Sequence, residues 1–298
     1  MNKKTVMGVP VSCFRAVIAV CVLGILIGSV FDLAISQALA NRNKIGQIFA
    51  NYFPIVRYFF YTAGGACLFV GTRKRGRALA WTLLIVAVHL AVSKSESSYG
   101  EELRELIGYE AGKTSGILYL FSWLFWAALY SLTAFTLTQA LDDSDPNKLI
   151  AVGAAILIAG ITADSMNHWL KQVASRPRYK YLLTLEDPAS QYRNWWEMTP
   201  FLSDNDSFSS WPSGHMTSAG ILFTLPMLTD VMKNRSMKRN LIAFGVVCVQ
   251  MLICGYNRIH MTNHFLTDVC FGTLITYLIY SGISTALLRA MVRPPTEG

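Results

Sequence analysis

Charge is what this chain has least of. Only 15% of its 298 residues are Asp, Glu, Lys or Arg, against about a quarter in a soluble domain. That deficit, together with long uncharged runs, excludes an ordinary soluble domain and points to an integral membrane protein. Acids are scarcer than bases, 18 against 26, for a net charge of +8. The surplus does not imply a nucleic-acid partner, because the bases sit mostly in short loops between apolar runs, as the positive-inside rule requires. Cysteine is also sparse. Cys13, Cys21, Cys67, Cys248, Cys254 and Cys270 lie in or beside apolar runs, and none forms a C-x-x-C pair. This excludes a disulfide framework and a cysteine zinc site, and leaves small buried side chains. The chain has no P-loop, no G-x-G-x-x-G and no visible internal repeat.

What is present is a succession of apolar runs. They cover about 16–35, 52–71, 78–92, 116–141, 149–170, 216–232, 241–256 and 265–288. The expected fold is all-α, a polytopic membrane helical bundle of about eight transmembrane helices. Lys3, Lys4 and Arg15 precede the first run, which only Asp32 interrupts. Ala38-Leu39-Ala40 resembles a signal-peptidase site, but an uncleaved anchor is favoured. Leu33 to Asn51 reads as an interfacial helix. The loops Arg73-Lys74-Arg75-Gly76-Arg77 and Lys233 to Arg239 are strongly basic, and Arg289 and Arg293 follow the last run. Eight spans put both basic loops and both termini on the cytoplasmic side. The turn Asp142-Asp143-Ser144-Asp145 falls on that side too, in tension with its acidity. Ser93 to Ser115, where Glu101, Glu102, Glu105 and Glu110 outnumber Lys94, Arg104 and Lys113, suits the outer face.

Three clusters of ionisable residues sit at the outer ends of the later spans. Charges at membrane depth cost roughly 2.5–3.5 kcal/mol each on insertion scales, so they usually have a task. In the first, Lys171 and Arg178 are separated by six residues, Pro177 among them, and are able to fold back on one anion. Arg176 and Lys180 read as snorkelling to headgroups. Asp164 and His168 share a helical face with Lys171 and are candidate supporting partners. The second cluster is Trp211-Pro212-Ser213-Gly214-His215. Its turn opens a helix, whose first N–H groups suit a phosphate. His215 is a proton donor or acceptor beside it. In the third, His264 and Asp268 stand one helical turn apart. A carboxylate holding one imidazole nitrogen frees the other as a nucleophile. Arg258 adds a planar cation suited to phosphate oxygens, and His260 reads as structural. Two histidines and one acid match a zinc site, but zinc does not call for three adjacent cations. No metal or other cofactor is expected. The pattern fits a phosphate and its transition state.

At these residues the chain resembles the type 2 phosphatidic acid phosphatase superfamily, whose pattern is K-x6-R-P, P-S-G-H and S-R-x5-H-x3-D. Here it reads Lys171-x6-Arg178-Tyr179, Pro212-Ser213-Gly214-His215 and Asn257-Arg258-x5-His264-x3-Asp268. Tyr179 and Asn257 depart from it. Asn257 retains a side chain that can hydrogen-bond a neighbour or a phosphate oxygen. The resemblance implies a catalytic core over 149–298 of six-helix type. It leaves 1–148 as an N-terminal membrane region of four spans, the second and third of them additional to the core. It also implies roles. His264 attacks phosphorus, Asp268 orients it, and His215 protonates the leaving group and then activates water. Lys171, Arg178, Arg258 and the amides of Ser213 and Gly214 hold the oxygens.

A phosphate site at the boundary of membrane and water favours a lipid phosphate or diphosphate as substrate, such as a polyprenyl diphosphate or phosphatidate, with membrane lipids as its surroundings. Trp195, Trp196 and Trp211 suit the interface. A bacterial plasma membrane with the site on its outer face is the favoured setting. Phosphotransfer to an alcohol, hydrolysis of a soluble phosphoester, and a non-enzymatic transporter or lipid-binding protein are the alternatives.

Overall fold

A computed structural model describes residues 5–47, 53–106, 116–199 and 206–292. Lys3, Lys4, Glu110, Lys113 and Arg293 lie outside them. A two-residue hairpin, β1 (Thr5–Val6) with β2 (Val9–Pro10), is the only sheet among the described residues. The helices follow as α1 (Val11–Leu39), α2 (Phe59–Thr72), α3 (Arg77–Leu106), α4 (Gly116–Ala140), α5 (Pro146–Ala174), α6 (Tyr179–Leu182), α7 (Gly214–Gly220), α8 (Thr224–Thr229), α9 (Met237–His260) and α10 (Leu266–Met291).

The molecule is an all-α bundle, and among the described residues six helices are long and apolar enough to cross a membrane: α1, α3, α4, α5 with its extension through α6, α9 and α10. The other two expected spans take different forms. Residues 53–72 make a 3₁₀ turn and the 14-residue α2. Residues 214–229 break into α7, a 3₁₀ turn and α8. Both segments lie inside the bundle, where Ala63, Ala66, Cys67, Met216, Ala219, Ile221 and Phe223 are buried. Packing by neighbouring helices substitutes for length there. Leu33–Leu39 continues α1 and is not a separate interfacial helix, and α3 runs on well past the expected Val92.

Close approach of α2 and α5 depends on two glycines. A Cβ on Gly153 would stand 2.8 Å from the Gly64 carbonyl oxygen, and one on Gly64 would stand 3.0 Å from that of Gly153. Small residues let helix backbones meet in this way in membranes. Gly153→Ala should therefore destabilise by about 1–3 kcal/mol through overpacking. Gly245→Ala on α9, where a Cβ meets nothing within 4 Å, should be neutral or better. Unfolding midpoints in detergent test the contrast.

One end of the bundle gathers β1–β2, the α2–α3 loop, the α4–α5 turn and the α8–α9 loop. Asn240 donates to the Gly8 carbonyl at 2.8 Å, and Leu141 bridges Met232. The acidic turn belongs here because it neutralises the basic loops. Asp143 pairs with Arg73 at 3.1 Å and Lys74 at 2.9 Å, and Asp142 pairs with Arg235. These hydrogen bonds and charges lower both carboxyls below the usual range. The three clusters of ionisable residues lie at the opposite end.

Candidate active site

Two left-handed residues shape this end. Ser175, with φ 40°, closes α5, and Pro177 prevents the helix from resuming. The chain then runs extended beside 207–210, Arg178 N–H donating to Ser207 O at 2.7 Å and Ser210 N–H to Arg176 O at 3.0 Å. Thr262, with φ 59°, turns the α9–α10 corner. The Arg258 carbonyl there accepts the N–H groups of Asn263 and His264 at 3.1 and 3.2 Å. That corner brings Arg258 and His264 together although α9 and α10 run in different directions. The Ser213 N–H donates to Asp268 O at 3.0 Å, seating the Ser-Gly-His turn on the first turn of α10.

His264 is 1% exposed. Its Nδ1 lies 2.7 Å from the Ser210 carbonyl oxygen and 3.7 Å from Asp268 Oδ2. A carbonyl oxygen only accepts, so Nδ1 carries the proton and Nε2 is the nitrogen with the free lone pair. The expected direct clasp of the imidazole by Asp268 thus takes a modified form. Asp268 Oδ2 accepts from Ser210 Oγ at 2.5 Å and from Phe265 N–H at 2.8 Å, so the carboxylate anchors the segment that holds the ring. Burial pushes the His264 pKa well below its ordinary 6.5. Asp268 opposes that shift, and the positive charges of Arg178, Lys171 and Arg258 reinforce it. The imidazole is therefore neutral, as a nucleophile must be.

The three expected cations lie at the same end of the bundle as the ring. Lys171 Nζ donates to the Ser209 carbonyl. Arg178 reaches Asn263 Oδ1 at 3.3 Å and Asp206 Oδ1 at 2.7 Å. Arg258 is 3% exposed. Its Nε, the Nε of Arg178 and the hydroxyl of Ser213 are buried without a hydrogen-bond partner among the described residues. Buried donors of this kind need an acceptor, and an anion lodged among them supplies one. Lys180 also pairs with Asp206, at 2.6 Å. Burial disfavours the Asp206 anion, but Lys180, Arg178 and Lys171 outweigh it and hold the carboxyl below its usual range.

His215 is half-buried in the first turn of α7, and its carbonyl accepts from Cys254 Sγ at 3.7 Å. A Cβ on Gly214 would lie 3.5 Å from Lys171 Cε, so the turn adjoins the first cluster. The Ser213 amide is engaged by Asp268 O, which leaves its hydroxyl, not its N–H, as the group open to a ligand.

Other expected residues lie elsewhere. Asp164 pairs with Arg57, and His168 is exposed with Gln172 Nε2 at 3.4 Å. The inward stripe of α5 is Ala163, Asn167 and Ala174, and Asn167 faces the Pro212 carbonyl at 3.4 Å. Asn257 is buried and donates to the Gly46 carbonyl at 3.0 Å, so it ties down the 41–47 segment. Trp211 is buried against Phe271, Trp195 donates to Ser29 Oγ at 2.9 Å, and only Trp196 is exposed.

Arg176 corrects the snorkelling expectation. It is 2% exposed and bridges two carboxylates, Asp268 Oδ1 at 2.6 Å and Asp32 Oδ2 at 3.0 Å. The signal for it was Asp32, the lone acid in the first apolar run, which required a buried cation. Among the described residues no three His, Cys, Asp or Glu side chains come together as metal ligands. Residues 148–291, which contain all three clusters, match the family model described as the PAP2 superfamily. No curated protein and no solved structure compared with the chain matches it.

Proposed function

Through residues 148–291 this chain belongs to the PAP2 superfamily and is a phosphatase of that type, and from that premise we propose that it hydrolyses a lipid phosphate or diphosphate through a phosphohistidine. The observation that carries the reading is the buried His264, with Nδ1 committed to the Ser210 carbonyl, Nε2 free, and three cations acting on the ring. Nε2 attacks phosphorus while Lys171, Arg178, Arg258 and the Ser213 hydroxyl take up the charge that grows on the oxygens. This electrostatic contribution is the largest one available to such a site. His215 gives a proton to the leaving oxygen and then takes one from water, for a gain of about 10²–10⁴-fold. Water at the phosphohistidine releases phosphate and restores the imidazole.

A lipid substrate is favoured because the site closes one end of a bundle of apolar helices. Exposed Trp196 and Met198 lie on the loop after α6, whose Thr199 N–H donates to the Ala174 carbonyl at 3.2 Å. The basic loops and the acidic turn that neutralises them occupy the other end, which the positive-inside rule assigns to the cytoplasm. The active site then faces the periplasm or cell exterior. Phosphate release by purified protein from a panel of lipid mono- and diphosphates, in EDTA, tests the reading. Inactivity on every substrate overturns it, and abolition by EDTA overturns the metal-independent mechanism. The acid limb of kcat/KM supplies a second check. The nucleophile must be deprotonated, and its pKa lies below 6.5. Activity attributable to His264 should therefore persist as pH falls through 6.5 and decline only in more acid solution.

A further inference from the structure

We propose that Asp32, on the N-terminal helix and outside the family-matched segment, is a positioning residue for the reaction, acting through Arg176 on Asp268. The inference rests on the phosphatase reading above. Asp32 is 1% exposed on α1. Its Oδ1 accepts the Thr267 N–H at 3.0 Å, and its Oδ2 accepts the Thr267 hydroxyl and Arg176 Nη2, the latter at 3.0 Å. Arg176 turns its other terminal nitrogen, Nη1, to Asp268 Oδ1 at 2.6 Å and to Thr267 Oγ1 at 2.8 Å. Its Nε donates to the Arg193 carbonyl at 2.8 Å. The guanidinium lies over the Phe265 ring, 4.3 Å from its centroid. Every polar edge of Arg176 is therefore engaged, and its plane is fixed by the ring next to the nucleophile.

The arrangement has a chemical consequence. Asp268 must carry negative charge while the His264 imidazole gains positive character on forming its bond to phosphorus. Arg176 alone would draw much of that charge to itself. Asp32 claims the second half of the guanidinium, which leaves Asp268 more basic and still fixed. A planar fork between two carboxylates is the geometry in which arginine, and not lysine, performs this sharing. Thr267 locks the register, since its hydroxyl accepts from Arg176 and donates to Asp32.

A purely structural strut and a positioning residue differ in what they leave intact. Asp32→Asn keeps the shape and removes the charge. Turnover should fall about 10- to 100-fold, as is usual when an outer partner of a site is lost, with KM unchanged. Vanadate, which takes the five-coordinate geometry of the transition state, should bind more weakly by a similar factor. Inorganic phosphate, held by the cations and the Ser213 hydroxyl, should bind as before. Calorimetry with vanadate and phosphate needs no substrate, so it separates failure of this inference from failure of the phosphatase reading, which the wild-type substrate panel decides. Wild-type kcat and vanadate affinity in Asp32→Asn overturn the proposal. An equal loss of phosphate and vanadate affinity also overturns it, since that marks general damage. Should Asp32→Asn not accumulate folded, Thr267→Val carries the test. It keeps the volume and removes the bridging hydroxyl. The same split supports the proposal, and unchanged kcat overturns it.

Discussion

His264→Ala is expected to abolish turnover, by about 10⁴-fold or more, while leaving the fold intact. Removing the nucleophile from a group of residues that act as a unit costs nearly all the chemistry they supply together. Loss of the side chain leaves the Ser210 carbonyl without the Nδ1 donor. Asp268 still has Ser210 Oγ, the Phe265 N–H and Arg176, so the corner stays in place. Two measurements are needed. Wild-type enzyme fed substrate labelled in the phosphate and quenched in alkaline denaturant, which preserves the acid-labile N–P bond, should retain label on histidine. The variant should retain none, with a circular dichroism spectrum like the wild type. Label on the variant protein would remove His264 from its assigned role.

Arg176→Gln should fail as a folded protein or lose about 3–5 kcal/mol, because it leaves two buried carboxylates facing one another without their cation. A cation that merely reaches lipid headgroups would tolerate the change within about 0.5 kcal/mol. The two outcomes are far apart, and expression with a thermal scan in detergent distinguishes them. Lys180→Gln provides the comparison. Among the described residues the Lys180 ammonium pairs with Asp206, an exposed acid, and a pair of that kind contributes about 0–1 kcal/mol.

Much of the candidate site was legible because ionisable residues at the ends of apolar runs are conspicuous, and because the spacings in the three clusters are short. His264 and Asp268 are one turn apart in any helix or near-helix, so their meeting needed no tertiary information. What escaped the sequence depended on rotation and distance. Asp164, His168 and Lys171 share a face by periodicity, yet α5 presents the neighbouring stripe of Ala163 and Asn167 to the bundle. A rotation that small is set by what packs on the other side, here α2 with Gly64 against Gly153. Arg176 was misread because a cation at a span end has two ways to satisfy itself, lipid outside or acid inside. The acid that decides the matter lies 144 residues earlier. The bundle itself followed from hydropathy, but α2 and the α7–α8 segment did not, since interior helices are freed from the length a lipid-facing span requires.

The Asp32 pairing also dictates an order of events during synthesis. The first helix enters the membrane with its carboxylate unpartnered. Arg176 emerges 144 residues later and Thr267 235 residues later. At about 5–20 residues per second, the acid waits roughly ten to fifty seconds for its full set of partners. Throughout that interval the nascent chain carries a polar group that apolar surroundings penalise. That penalty ends only when Arg176 and Thr267 close over the carboxylate.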